Sequence, residues 1–213
     1  DTMPTMRLPG LFEDSLPDQW GRRLTMEWFR QRGTPEHAVT PLMMLAHVGS
    51  RAMGALVYTP ELQVESAPAD VTLAELHDAA RRAESTGAVD LAMLAQVGSS
   101  AGGARPKALI ALHRSDAARL IAGAAKLPPD FDAWMVKFDT SEDAAQGSLE
   151  EAYARMARAA GVEMPETRLL ETRHAGRARR HFAVRRFDRE GNERIHHHTL
   201  AGMCHVGGGD LDY

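Results

Sequence analysis

The sequence predicts an α+β fold, in which a small sheet has helices beside it. Trp20, Leu24 and Trp28 recur every four residues, which places three apolar side chains along one face of a helix. Residues 132–138 instead alternate with a period of two, which is typical of a strand. A further strand is predicted from the apolar run 108–112, which follows a polar, glycine-rich stretch. Helical and strand periodicities therefore occur in one chain.

The N-terminal part is predicted to contain one strong helix and one strand. Asp14 or Ser15 can cap the helix, because a side-chain oxygen accepts hydrogen bonds from first-turn N–H groups. Gly33 is expected to end this helix. Residues 40–48 are apolar scaffold, and residues 51–58 are predicted to form a strand.

A linker and a second helix follow. Residues 60–71 carry two prolines and short polar side chains, and they are the best candidate for a linker. Thr72 and Glu75 have the spacing of a capping box, in which each side chain bonds the other residue's N–H group. The helix that they begin is expected to stop at Gly87, and a short helical turn is expected over residues 89–95.

A helix and a hairpin are predicted in the C-terminal part. Ser148 is expected to cap the helix and Gly161 to end it. The apolar stripe of this helix consists of Leu149, Tyr153, Met156 and Ala160. Residues 167–172 and 180–187 are then predicted to form two strands around a turn. Eight arginines lie between Arg173 and Arg194. They form either a solvated hairpin or a docking surface for nucleic acid or an acidic partner.

The composition excludes several classes of protein. Hydrophobic residues make up 44% of the 213, which is enough for a core, and the net charge of −4 argues against general affinity for nucleic acid. A single cysteine cannot form an internal disulfide, and no apolar run reaches the roughly 18 residues of a membrane span. The consecutive histidines 196–198 cannot all reach one metal ion, so no metal site is predicted. A cytoplasmic protein without a membrane partner is expected.

The glycine-rich stretch suits a triphosphate. Its glycines, from Gly98 to Gly103, allow backbone N–H groups to approach an anion, and Lys107 can add a positive charge. It is not a standard P-loop, because Ala104 and Arg105 stand where lysine and serine or threonine should be. The alternative is a flexible turn with one exposed lysine.

Lys137 and Glu150 form the second candidate feature. A lysine in an apolar strand is costly unless its ammonium finds an anion, although an edge strand would leave it in water. A strand lysine followed by a helix glutamate is the kinase arrangement, in which the two side chains pair and orient the nucleotide phosphates. Glu150 also lies where negative charge stabilises a helix N-terminus, so the sequence leaves both roles open.

The wording of several stretches resembles the HipA family of toxin serine/threonine kinases. Residues 99–107, Ser-Ser-Ala-Gly-Gly-Ala-Arg-Pro-Lys, resemble that family's nucleotide loop, and residues 182–189 resemble its segment ending Arg-Phe-Asp-Arg. Similar wording occurs at 16–21 (Leu-Pro-Asp-x-Trp-Gly), 48–56 (Val-Gly-x-x-x-x-Gly-Ala-Leu) and 194–201 (Arg-x-His-x-x-Thr-Leu-Ala). The resemblance covers nearly the whole chain.

The resemblance implies a HipA-like variant of the protein-kinase fold, with a coupling subdomain at 1–71 and the nucleotide-binding part at 72–213. Lys137 would then pair with the phosphates of ATP, and Glu150 would hold Lys137. The loop on the phosphates would consist of Gly102, Gly103, Ala104, Arg105, Pro106 and Lys107. Adenine would be lined, mostly through backbone, by Arg185, Arg186 and Phe187. The family commonly has an acidic residue in place of Arg185, so side-chain pairing there is in doubt.

The resemblance also implies ATP and Mg²⁺ as cofactors and autophosphorylation on Ser100, or on Ser99. The partners implied are a HipB-like DNA-binding antitoxin, with DNA reached indirectly through it, and a protein substrate such as an aminoacyl-tRNA synthetase. The family's catalytic His-x-Asp-x-His-x-x-Asn stretch and its later Tyr-Asp do not occur in these 213 residues. We therefore expect them beyond Tyr213, and this chain alone to be inactive. The alternatives are a non-catalytic kinase-like regulator and a basic binding module.

Overall fold

The computed structural model describes residues 8–64, 71–94, 103–124, 126–142 and 145–205. Its helices are α1 (Gly10–Glu13), α2 (Gln19–Gln31), α3 (Pro41–Val48), α4 (Leu73–Thr86), α5 (Leu91–Leu94), α6 (Gln146–Ala159) and α7 (Leu200–Cys204). Its strands are β1 (Lys107–His113), β2 (Leu120–Ala122), β3 (Phe131–Lys137), β4 (Thr167–His174), β5 (Arg177–Arg185), β6 (Arg189–Glu190) and β7 (Glu193–Arg194). This mixture confirms the α+β prediction. None of the helices in the described part could cross a membrane.

Five strands form one antiparallel sheet in the order β2-β1-β3-β5-β4, while β6 and β7 pair separately. β3 lies at the centre, and along β1 the register runs from Lys107 opposite Lys137 to His113 opposite Phe131. β4 and β5 form a hairpin whose two turn residues, Ala175 and Gly176, both have positive φ. Positive φ at both positions matches the right-handed twist of the two strands. The predicted hairpin is confirmed, with a tighter turn than expected.

The main core lies between the sheet and the helices α2 and α4. Leu24 and Leu76, one from each helix, pack with Ile110, Trp134 and Val136 of the central strands. Trp134 and Val136 are two residues apart, so the predicted alternation in β3 is confirmed. Burial of these large side chains removes apolar surface from water, which is the main stabilising contribution to such a fold.

The N-terminus of α2 differs from the prediction. The cap is Asp18, whose carboxylate accepts from Gly21 N–H at 2.7 Å. Pro17 disfavours helical conformation in the residue before it, which argues against a helix capped at Asp14 or Ser15. Asp14, one of the two predicted caps, instead accepts hydrogen bonds from the N–H and hydroxyl groups of Thr199, at 2.7 and 2.8 Å. The capping box of Thr72 and the stop at Gly87 are both confirmed.

Helix α6 differs from the prediction in its cap and in its buried face. It begins at Gln146, so Ser148 lies inside it and is not its cap. The predicted stripe faces outward, with Leu149, Tyr153 and Met156 between 57% and 62% exposed. The buried residues of α6 are Gly147, Glu151 and Ala154. Small side chains at the contact allow the helix to approach β5 closely, which leaves the larger apolar residues outside.

The predicted strand over residues 51–58 is wrong. The segment bends at residues 52–55 and forms no strand, and three of its carbonyl groups accept hydrogen bonds from arginine side chains. The Arg194 guanidinium donates to the carbonyls of Ser50, Ala52, Gly54 and Leu56 at distances of 2.6 to 3.2 Å. Since these acceptors are satisfied by side chains, the segment needs no strand partner. The predicted linker at 60–71 lies partly outside the described residues, which include only 60–64 and 71.

Candidate functional site

An ion pair joins the central strand to the helix that follows it. The ammonium of Lys137, at the end of β3, lies 2.5 Å from a carboxylate oxygen of Glu150 in α6. Both side chains are partly exposed, at 32% and 24%. Because β3 is the central strand, the alternative of an edge-strand lysine does not apply. The second oxygen of Glu150 lies 3.6 Å from the Arg105 guanidinium, so one carboxylate links strand, helix and glycine-rich loop.

Asp139 fixes the geometry of this ion pair. Its side chain is buried and its carboxylate accepts the N–H groups of Ser141 and Gly147, at 3.2 and 3.3 Å. Its own N–H donates to Nδ1 of His181, on β5, at 3.0 Å. Asp139 thus supplies the cap that Ser148 was predicted to give and holds the start of α6 against the end of β3. Neither role was visible in the sequence, because Asp139 lies eight residues before Gly147 and 42 before His181, outside the range of local capping patterns.

His181 supports Asp139 in its neutral form. The imidazole is fully buried, and its Nε2 lies 2.8 Å from the hydroxyl of Thr172. Burial, together with the nearby His77 ring, lowers the pKa of His181 to about 3. A neutral ring can keep an acceptor lone pair on Nδ1, which the Asp139 N–H group requires. The link between β3 and β5 therefore persists throughout the neutral pH range.

Gly147 lets α6 approach the sheet closely. A Cβ atom at this position would lie 1.9 Å from the carbonyl oxygen of Arg180 on β5. No side chain can occupy that space without moving the helix backbone. The distance between α6 and the sheet, and with it the reach of Glu150 toward Lys137, therefore depends on glycine at this position.

Lys107 is anchored within the protein. Its ammonium lies 2.8 Å from the Asp18 carboxylate and 3.1 Å from the Gly103 carbonyl, and the side chain is only 2% exposed. Trp20 donates its indole N–H to the Lys107 carbonyl at 3.0 Å. Gly103 has a φ of 97°, which favours glycine. These contacts hold the end of the glycine-rich loop at the start of β1. Direct contact between Lys107 and phosphate stays a prediction.

The remaining loop residues are only partly described. Ala104 and Arg105 are exposed, and Pro106 is buried with its carbonyl accepting the Phe138 N–H group at 2.9 Å. The predicted residues Gly102, Ser99 and Ser100 lie outside the described residues.

The segment predicted to line adenine borders an open pocket of about 610 Å³. Arg185, Arg186 and Phe187 form one wall, and residues 163–166 form the other. The Arg185 guanidinium is 3.4 Å from the Asp132 carboxylate, and Phe187 is 57% exposed. The Arg186 side chain binds the buried Asp188 carboxylate instead. That this segment lines adenine mostly through its backbone, as the resemblance implies, stays a prediction.

A buried cluster of charges around Asp188 was not predicted. Its carboxylate receives Arg186 at 2.9 and 2.6 Å, Arg189 at 2.7 Å and the Gly54 N–H group at 2.7 Å. Asp188 is fully buried. Arg189 also donates to the carbonyls of Gly54 and Ala52. The Arg-Phe-Asp-Arg stretch therefore ties the N-terminal segment to the end of the sheet. The only sequence signal for this cluster was the Arg-Phe-Asp-Arg stretch, which gave no indication that it contacts the N-terminal segment.

Burial and the neighbouring charges both shift the pKa values of the groups in this cluster. Burial alone would raise the pKa of Asp188, but bonds from Arg186, Arg189 and the Gly54 N–H group hold it below its ordinary value. Burial, reinforced by the neighbouring Arg186, lowers the pKa of Arg189 to about 10. Both groups remain charged near neutral pH, so the cluster is an ionised network inside the protein.

The fold and this site define a class of protein: an α+β chain with a strand lysine and a helix glutamate paired beside a glycine-rich loop. Residues 99–212 match the family described as the HipA-like C-terminal domain, and residues 1–59 match the HipA N-terminal domain. The chain belongs to the HipA family, whose members are generally serine/threonine kinases of toxin–antitoxin systems. Searches among curated proteins and among solved structures found no match.

Proposed function

We propose that this chain is the nucleotide-binding part of a HipA-type serine/threonine protein kinase toxin. The observation that carries the proposal is the 2.5 Å ion pair between Lys137 and Glu150. In protein kinases such a pair must be in place for the lysine to meet the nucleotide phosphates. Here the pair is formed, and the Lys137 ammonium remains partly exposed rather than closed into the core.

The charges near the glycine-rich loop fit a polyphosphate. Glu150 contacts two cations, Lys137 and Arg105, so these three side chains carry a net positive charge. A phosphate oxygen could approach either cation without displacing the carboxylate. Lys107 and Asp18 neutralise each other, and we assign that buried pair the role of anchoring the loop.

ATP would supply the transferable phosphoryl group, and Mg²⁺ would neutralise the charge of its phosphates. The residues of this chain bind and orient: Lys137 and the loop from Gly102 to Lys107 hold the phosphates, and residues 185–187 line the base. The 213 residues lack the family's His-x-Asp-x-His-x-x-Asn stretch, so we propose that catalysis belongs to the full-length kinase and that this chain alone is inactive.

We also propose inactivating autophosphorylation on Ser100, or on Ser99. A phosphoserine adds about −1.5 to −2 of charge. On a loop that holds phosphates this charge would repel ATP and favour an open loop. In line with the family, the proposed partners are a HipB-like DNA-binding antitoxin and a protein substrate of the aminoacyl-tRNA synthetase kind, with indirect association to DNA.

The binding of Mg-ATP by titration calorimetry tests the proposal. We expect weak binding by the 213-residue chain and at least about tenfold weaker binding by Lys137→Met, because the variant loses a charge-assisted hydrogen bond. Lys126→Met is the matched control, since Lys126 is exposed on a different loop. Equal affinities of the two variants would contradict the assignment of Lys137. Phosphoryl transfer by this chain alone would contradict the assignment of catalysis to the full-length kinase.

The basic-module alternative gains no support from the arginines. Of the eight between Arg173 and Arg194, three bind the buried Asp188 or the carbonyls beside it, and Arg179 is itself buried. Arg180 and Arg185 pair with Glu171 and Asp132. The high number of arginines in this stretch is therefore explained by contacts within the protein more than by a surface that binds nucleic acid.

A further inference from the structure

Three potential metal ligands meet at the outer end of the β4–β5 hairpin. His77 and Asp78 belong to α4, and His174 is the last residue of β4. One ligand atom from each lies within 4.8 Å of the other two. Because 97 positions separate His77 from His174, the sequence offered no sign of this cluster. It is separate from the Lys137 site and independent of the proposed kinase function.

Two of the three distances between these atoms match the spacing of neighbouring ligands around one ion. The Asp78 carboxylate oxygen Oδ1 lies 2.9 Å from Nδ1 of His174 and 3.4 Å from Nδ1 of His77. Metal–ligand bonds of about 2.0–2.1 Å separate neighbouring ligands by about 2.9 Å at right angles and about 3.4 Å at tetrahedral angles. Asp78 Oδ1 therefore lies as far from each of the two ring nitrogens as neighbouring ligands of one ion lie from each other.

The cluster also leaves a polar atom unsatisfied. Despite these short distances, Asp78 Oδ1 has no hydrogen bond among the described residues. This oxygen is buried, so water does not compensate freely. Buried polar atoms without partners are rare in native proteins, and a bound ion is one established reason for them.

We propose that His77, Asp78 and His174 bind a divalent transition-metal ion of the Zn²⁺ class. Two imidazoles and one carboxylate suit Zn²⁺ and its neighbours rather than Mg²⁺ or Ca²⁺, which prefer oxygen ligands alone. With three protein ligands, water completes the coordination. Asp78 and His174 are partly exposed, at 41% and 24%, which gives the ion a path from solvent.

The surroundings set the strength and the effect of this site. The Arg179 guanidinium lies near His77 and opposes a further cation, while the Asp78 carboxylate favours one. The His77 ring also contacts the His181 ring, with centroids 4.8 Å apart and the planes tilted by 36°. A bound ion would join α4 to the hairpin turn and hold the His77 ring against the His181 ring. Metal binding should therefore stabilise the fold as well as fill the site.

Titration of the chain with Zn²⁺, and with Co²⁺ as a visible-light probe, tests the proposal. We expect one ion per chain, absorption bands of histidine-ligated Co²⁺ and a higher melting temperature with Zn²⁺. His174→Gln should weaken binding at least about tenfold, because loss of a direct ligand costs no less than loss of an outer partner. The variant should fold, since His174 is partly exposed at the end of a hairpin.

The three consecutive histidines at 196–198 provide the matched control. A double variant, His196→Gln with His198→Gln, removes the main competing cluster of imidazoles and should keep full affinity. The proposal is overturned if no stoichiometric binding occurs. It is also overturned if the double variant abolishes binding while His174→Gln retains it, because the ion would then sit on the histidine run.

Discussion

At the scale of single residues, Asp188 is a buried charge that joins two neighbouring arginines to a distant backbone group. It is fully buried and accepts from Arg186, Arg189 and the Gly54 N–H group. A buried ion pair contributes little net stability compared with apolar residues of similar size, but removing one partner leaves the others buried without a counter-charge. Loss of Asp188 should therefore be far more damaging than loss of an exposed carboxylate.

Asp188→Asn is expected to lower the free energy of unfolding by about 3–5 kcal/mol at neutral pH. The pKa of Asp188 is lowered in the folded protein, so its stabilisation is present above the ordinary carboxylate pKa and lost as the pH falls through the lowered value. The difference between wild type and variant should then shrink in acid.

Urea unfolding at neutral pH and at a pH below about 4 measures this difference. Asp130→Asn is the control, since the Asp130 side chain is 72% exposed. Similar losses in both variants, or a difference that does not change with pH, would contradict the assigned role of Asp188.

At the scale of elements, helix α6 shows how close packing can override an apolar pattern. Its larger apolar residues, Leu149, Tyr153 and Met156, are exposed, although their spacing predicted a buried stripe. The helix instead meets β5 at Gly147, where backbone approaches backbone. Asp139 then caps the helix from outside its own sequence. The position of Glu150 follows from these two contacts.

Gly147→Ala is expected to destabilise the protein by about 1–3 kcal/mol, because the added methyl group must displace either the helix or the Arg180 carbonyl. Ser148→Ala, one position further along α6, should change stability by no more than about 0.5 kcal/mol, since Ser148 is not the cap. Thermal or urea unfolding of both variants measures these two changes in stability. A larger loss in Ser148→Ala would restore the original capping prediction.

At the scale of the whole molecule, arginine side chains hold residues 50–56 to the C-terminal part of the chain. Arg194 alone contacts four carbonyls of that segment, from Ser50 to Leu56. These residues lie in the stretch that matches the HipA N-terminal domain, whereas Arg194 lies in the stretch that matches the C-terminal domain. The two matched stretches therefore share a hydrogen-bonded contact.

Arg194→Gln should loosen this contact without unfolding the sheet. We expect faster hydrogen–deuterium exchange at residues 50–58, above all at the Gly54 amide, which donates to Asp188. Exchange in β1 and β3 should stay slow. Arg173→Gln, which changes an exposed arginine, is the control. Unchanged protection at Gly54 in Arg194→Gln would show that Asp188 and Arg189 hold the segment without help.

Much of the candidate site could be predicted because its determinants are local or follow a family pattern. The order of Lys137 on a strand and Glu150 on a helix predicts that the two side chains pair, and the structure brings them together. The hydrogen-bond partners of Lys107, Asp139 and Asp188 could not be predicted from the sequence. For each of them a decisive partner is distant in the chain: Asp18 is 89 residues from Lys107, His181 is 42 from Asp139, and Gly54 is 134 from Asp188.

By itself, the sequence determined the α+β class, the capping box at Thr72, the alternation in β3 and membership of the HipA family. These depend on hydrogen bonds and side-chain periodicities within a few residues, and on motif wording. Only the tertiary structure decided which face of α6 is buried, which residue caps it, and that residues 51–58 bind arginines instead of forming a strand. Burial and ion pairing are settled by groups far apart in the chain, so their outcome appears only when the elements pack.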